Sequence, residues 1–146
     1  MRLLLVLLCA GCGTVDPGPD TGPPQGCTKS PEYFVSTLWP QYFDHVFTGT
    51  NKCGNADCHN ASTGHGYFRL EDVSAVVAPQ PTDPVVQWPT AWSDNLRAVE
   101  HNTSCSSPLT SAVLAVPEGN SQPHPPGDVI GPGNHAAAEM LFLMWP

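Results

Sequence analysis

With 146 residues the chain has room for one domain. Its seventeen prolines and thirteen glycines are well above ordinary usage, which predicts many loops and short helices around a modest core. Only 12% of residues are charged, which excludes a charge-driven disordered chain, and a formal net charge of −8 argues against nucleic acid and against an electrostatic grip on anionic lipid.

The chain begins Met1-Arg2, followed by the apolar run Leu3-Leu4-Leu5-Val6-Leu7-Leu8 and then Cys9-Ala10-Gly11-Cys12. A basic start, a short apolar run and small residues make an export signal, and the run is too short for a membrane-spanning helix. Ala10-Gly11-Cys12 resembles the lipobox of bacterial lipoproteins, with Cys9 where an aliphatic residue is usual. That resemblance implies a signal peptide at residues 1–11 and an acylated Cys12 held in the lipid bilayer. It places the protein in the bacterial cell envelope, on the periplasmic side of a membrane or at the cell surface. An ordinary secretory signal cut nearby is the alternative. Several acyl chains anchor stably, since each buried methylene contributes about 0.8 kcal/mol. Loss of the leader removes Arg2 and leaves four basic and thirteen acidic side chains, a formal −9.

Residues 12–26 read as a tether. Val15 is the one large apolar residue from Gly13 to Gly26, and four prolines keep the segment extended and solvated. Its role is reach.

Residues 27–146 form the folded domain. Pro31 opens a helix whose columns Phe34, Leu38, Tyr42, Val46 and Val35, Trp39, Phe43, Phe47 make one broad apolar stripe. Pro40 predicts a kink, or a second helix starting there, and Gly49 and Asn51 should end the run. His45 lies off the stripe and reads as a surface residue. Tyr67 to Leu70 could pack over whatever the preceding loop encloses. Glu71 to Val77 reads as a short helix with Val73, Val76 and Val77 inward. Four prolines between Ala78 and Trp92 predict loop. Asp94 to Glu100 fits a strand or a helical turn equally. Ser107-Pro108 predicts a capped short helix through Leu114, and a proline-rich loop runs from Pro117 to Pro126. Asn134 should cap a final helix, His135 to Trp145, that closes the core with Met140, Leu141, Leu143, Met144 and Trp145.

Between the first helix and Tyr67 lies Cys53-Gly54-Asn55-Ala56-Asp57-Cys58-His59. Two cysteines followed at once by histidine suggest covalent haem attachment, although the usual spacer is two residues and here it is four. Export implies an oxidising compartment, where thiols seldom stay free. With Cys12 lipidated, Cys27, Cys53, Cys58 and Cys105 remain, and four cysteines allow three pairings. A haem on Cys53 and Cys58 leaves Cys27–Cys105 as a pair. Without haem, a Cys53–Cys58 disulfide closes a tight loop and the Cys27–Cys105 pair still works. Zinc held by Cys53, Cys58, a histidine and Cys105 is a third option.

The order of these features resembles bacterial exported lipoproteins with a small cytochrome-c-like domain. An aromatic helix ending Tyr42-Phe43-Asp44-His45-Val46-Phe47 leads into Cys53–Cys58-His59. Ser107-Pro108-Leu109, a His124-Pro125-Pro126-Gly127 loop and a helix ending Met144-Trp145 follow. The resemblance implies a mostly α, loop-rich fold of short helices, stapled by at least one disulfide. It further implies haem c on Cys53 and Cys58, with His59 as proximal iron ligand. His124 stands as distal ligand where such cytochromes often carry methionine. The function implied is membrane-tethered electron transfer with a redox protein partner. The alternative is a haem-free, disulfide-stapled relative with a binding or structural role in the envelope. No nucleophile–base pair, phosphate loop or carboxylate pair suggests an enzyme.

Overall fold

The computed structural model describes residues 29–47, 52–54, 58–62, 67–120 and 127–145. The expected signal peptide, Cys12, the tether, Cys27 and His124 lie outside these. The described domain is mostly helical, and its one β interaction is a parallel bridge between Asn60 and Leu70.

Pro31–Tyr33 and Phe34–Phe43 form one continuous helix, α1. Ser30 Oγ accepts the Tyr33 N–H at 3.1 Å, satisfying a first-turn donor, and Pro31 supplies a preset φ at the first helical position. After the first turn the helix winds as a π-helix, ending with Asp44 N–H donating to Trp39 O at 2.9 Å, five residues back. The expected break at Pro40 is therefore replaced by continuous helix. The wider winding relieves the contact between the proline ring and the carbonyl four residues back, which an α-helix would enforce. Phe34, Leu38, Trp39, Tyr42 and Phe43 are buried, as the two columns predict. The helix ends at Phe43, earlier than expected, and leaves Val46 exposed.

The middle of the chain departs further from expectation. Glu71 to Val77 makes a turn instead of a helix, with Val77 85% exposed while Val73 and Val76 pack against the core. The buried Asn95 amide explains this. Its Oδ1 accepts from Glu71 N–H at 2.7 Å and its Nδ2 donates to Glu71 O at 3.0 Å, so the carbonyl that a helix starting at Glu71 would offer to the N–H four residues on is already engaged. The proline-rich stretch carries a short 3₁₀ turn, Val85–Gln87, and then helix α2, Thr90–His101. Pro89 precedes α2, its carbonyl accepting the N–H groups of Trp92 and Ser93. Trp92, Leu96 and Val99 form the buried stripe.

A 3₁₀ turn, Pro108–Thr110, leads to the short helix α3, Ala112–Ala115, which buries Val113 and Leu114. Helix α4, His135–Leu143, packs on α1 and on the Pro108–Thr110 turn. Ala138, Phe142 and the following Trp145 face the core, whereas Met140, Leu143 and Met144 are at least half exposed, so the expected inner face is largely the outer one. Asn134 does not cap this helix with its side chain; Nδ2 donates to Ile130 O at 2.8 Å.

The core is strongly aromatic. Phe34 stacks between Trp88 and Trp145, at centroid distances of 6.5 and 6.1 Å, and Trp39 meets Trp92 edge-on at 5.2 Å. Trp145 also ties the end of the described domain to its beginning. Its Nε1 donates to Ser30 O at 2.9 Å, and Lys29 Nζ lies 4.7 Å from the Trp145 ring centroid. No helix among the described residues is long and apolar enough to cross a membrane.

Candidate functional site

The Cys53–His59 loop is closed on itself and then tied to the next segment. His59 N–H donates to Cys53 O at 3.0 Å, which brings the two ends of the loop together. Leu70 N–H donates to His59 O at 2.7 Å and Ala61 N–H to Leu70 O at 2.8 Å, so the Phe68–Leu70 segment lies beside the histidine. Residues 55–57 lie outside the description.

This backbone arrangement fixes the His59 ring. Nδ1 is 3.0 Å from the Phe68 carbonyl, which can only accept, so Nδ1 carries a proton, and in the neutral ring the lone pair is on Nε2. The Phe68 ring meets the imidazole at 5.1 Å, and the expectation that this segment packs over the loop holds. A histidine that donates one ring N–H to a backbone carbonyl is oriented as metal-ligating histidines are.

His59, Cys53 and Phe68 line an apolar cavity of about 300 Å³. Tyr42 of α1, Val113 of α3, and Val116 and Pro117 of the turn after α3 are among its other walls. Tyr42 Oη donates to Val113 O at 2.7 Å and locks the two helices together along this wall. Burial raises the Tyr42 phenol well above its ordinary value, with Cys53 and Glu118 adding to the effect, so it is a fixed neutral donor. Sequence reasoning assigned Tyr42 to the core but did not identify it as a wall. Its position beside Phe43, the last residue of a helix that leads into the cysteine loop, was the available signal.

Cys53 and Cys58 stand as thiols and are not bonded to each other. Burial, reinforced by the neighbouring Cys58, pushes the Cys53 thiol up to about 12. It is neutral at physiological pH and a poor starting point for thiolate ligation of a metal ion. Cys105 is disulfide-bonded, which withdraws it from the zinc set. Among the described residues no cluster of three or more histidine, cysteine or carboxylate side chains could hold a metal ion.

The structure thus brings Cys53, Cys58 and His59 together in one loop, with Cys53 and His59 on one cavity. His45 is exposed as expected and His101 is exposed as well, while the His135 side chain is 25% exposed and donates to Asp128 at 3.0 Å. Met140 and Met144 sit on the outer face of α4. A second cavity of about 300 Å³ lies on the other side of Phe43, with the polar side chains Asp44, Lys52 and Asp72 around it. The Lys52–Asp44 ion pair at 2.7 Å joins the end of α1 to the start of the cysteine loop.

Comparison of the chain with family models, with curated proteins and with solved structures finds no match in any of the three.

Proposed function

We propose that this chain is a membrane-tethered electron-transfer module carrying one covalently attached haem c. The observation that carries the reading is the His59 imidazole, held by the Phe68 carbonyl through Nδ1 on the wall of an apolar cavity it shares with Cys53. The donor set fits the group. Cys53 and Cys58 would form the two thioether links, and Cys53 borders the apolar cavity. His59 Nε2 would be the proximal iron ligand. His124, outside the described residues, would be the distal one, seven residues beyond Pro117 of the cavity wall. Bound haem supplies one-electron chemistry, and two histidine ligands set a lower potential than histidine with methionine.

The protein's own part is to orient the imidazole, keep water from the iron with the Tyr42, Phe68 and Val113 surfaces, and hold the cavity shape through the Tyr42–Val113 bond. In this reading acylated Cys12 anchors the domain in the envelope, residues 12–26 give it reach, and Cys27 is the partner of Cys105 in the disulfide staple. Lys29, two residues after Cys27, interacts electrostatically with Glu100, five residues before Cys105, which favours that pairing. The formal charge of −9 after loss of the leader fits a redox partner with a basic face.

The test is a preparation from an exporting host with haem-maturation machinery, examined by visible spectroscopy after denaturation. Retained haem absorbance supports the reading. Colourless protein with Cys53 and Cys58 joined in a mapped disulfide replaces it with the haem-free, disulfide-stapled envelope domain. If haem is present, His124→Ala converts low-spin iron toward high spin; an unchanged low-spin spectrum removes His124 from the ligand role.

A further inference from the structure

Glu118 lies in the turn after α3, directly following Pro117 of the cavity wall, and only 4% of its surface is exposed. Asn120 Nδ2 donates to its Oε2 at 2.9 Å, while Oε1 is buried with no hydrogen-bond partner among the described residues. Four further titratable groups interact with it: Asp128 from the segment before α4, His135 and Glu139 from α4 itself, and the Tyr42 phenol of α1, which stays neutral. The Asp128–His135 pair is internally satisfied. His135 Nε2 donates to Asp128 Oδ2 at 3.0 Å, and Asp128 Oδ1 accepts from the N–H groups of Ile130 at 3.1 Å and Gly131 at 2.7 Å. The backbone also closes at this place, with Val129 N–H donating to Pro117 O at 2.9 Å. Glu118 is therefore a covered carboxyl at the junction of the α3 turn with α4, with one oxygen unserved by any described residue and two other carboxyls close by.

We propose that Glu118 is a proton-operated latch between the α3 turn and α4: protonated, it lets the Pro117–Val129 closure and α4 pack together, and its ionisation against Asp128 and Glu139 loosens that junction. The cavity wall at Val116 and Pro117 belongs to the same turn, so the latch sets how firmly that wall is held, whatever the cavity contains. Burial, together with the Glu139 and Asp128 charges, raises the Glu118 carboxyl above its ordinary value, against the opposing effects of His135 and Asn120. Burial acts upward on Asp128 as well, but hydrogen bonds from Gly131, His135 and Ile130 hold that carboxyl below its ordinary value. The two neighbours are thus separated in titration. For a carboxyl raised in the folded state, the stability it contributes is complete below the ordinary carboxylate range and is lost as pH rises through the folded value.

The experiment follows urea unfolding, and hydrogen exchange at the Val129 amide corrected for its intrinsic rate, from about pH 4 to about pH 8. Wild type, Glu118→Gln and Glu139→Gln are compared. Wild type loses stability and Val129 protection falls severalfold as Glu118 ionises; Glu118→Gln flattens both changes; Glu139→Gln moves them to lower pH. The same pH profile in Glu118→Gln as in wild type overturns the latch. Should Glu118→Gln fail to fold, Glu139→Gln decides, and an unmoved transition in that variant overturns it equally.

Discussion

The imidazole of His59 and the carbonyl of Phe68 stand 3.0 Å apart, and that single hydrogen bond gives the histidine a defined tautomer and direction. Nitrogen-15 spectra of the uniformly labelled haem-free protein, with His59 neutral, are expected to show the proton on Nδ1. His59→Ala removes the donor and leaves the part-buried Phe68 carbonyl with a lost hydrogen bond, costing about 0.5–1.5 kcal/mol in urea unfolding. In haem-loaded protein the same change removes the proximal ligand, so the low-spin spectrum should be lost while covalent attachment through Cys53 and Cys58 persists. A low-spin spectrum unchanged in the variant would assign iron ligation to other residues.

Cys53 offers a second check that needs no cofactor. With its thiol pushed up to about 12, the thiolate fraction at pH 8 is roughly a thousandth of that of an ordinary cysteine. Alkylation of Cys53 in folded, reduced, haem-free protein should therefore be slower than in urea-unfolded protein by a factor on the order of a thousand. Peptide mapping by mass spectrometry reads the rate at this site. Because the folded value is raised, the associated stability is complete below the ordinary thiol range and disappears as pH rises toward 12. Equal alkylation rates in folded and unfolded protein would show that the site is open to solvent.

The first helix was legible because its signal is redundant: Ser30 and Pro31 mark the start, and two adjacent columns of large apolar residues mark the buried face. Its π winding was not, because nothing in local spacing says how a helix accommodates Pro40. Helix α2 was read only in part, its first residues as loop and Asp94 to Glu100 as strand or helical turn, for a related reason. Pro84 and Pro89 read as loop, yet proline ahead of a helix costs it nothing, and Trp92, Leu96 and Val99 already carried the helical spacing. The Glu71–Val77 segment failed through a contact twenty-four residues away in sequence, the Asn95 amide, which no local pattern contains. For the site, the sequence located the loop and the histidine, while the cavity walls depend on how α1 meets α3.

That meeting is testable at Tyr42. Tyr42→Phe keeps the ring, including its edge contact with Phe142 at 4.9 Å, and deletes only the hydroxyl that serves Val113 O. A buried carbonyl left without its donor costs about 1–3 kcal/mol, measured by urea unfolding. The loss should be mainly thermodynamic, with helix content by circular dichroism unchanged. A change within experimental error would mean that water or another donor already serves that carbonyl.

Asn95 tests the long-range pin on the middle segment. It is fully buried and uses both ends of its amide on the backbone N–H and C=O of Glu71. Asn95→Ala strands a backbone donor and acceptor together, for an expected loss of about 1–3 kcal/mol. Asn95→Asp keeps the acceptor for Glu71 N–H but sets an oxygen against Glu71 O, so it should lie at or beyond the upper end of that range at neutral pH and recover as acid protonates the new carboxyl. If the two variants are equal at every pH, the amide acts by filling space and not by its two hydrogen bonds.

The two faces of α4 give the sharpest contrast between a pattern and a packed structure. Phe142 is fully buried against Tyr42, so Phe142→Ala opens a cavity beside the α1–α3 wall and should cost about 3–5 kcal/mol. Met140 and Met144, two residues to either side, are 52% and 60% exposed. Met140→Ser and Met144→Ser each remove three apolar side-chain atoms from the sequence's helical stripe but little from the core, and each should change stability by no more than about 0.5 kcal/mol. Urea unfolding of the three variants side by side separates the alternatives. A large loss at Met140 or Met144 with a small one at Phe142 would restore the face that hydrophobicity alone predicts, and would require α4 to be rotated about its axis from the packing described.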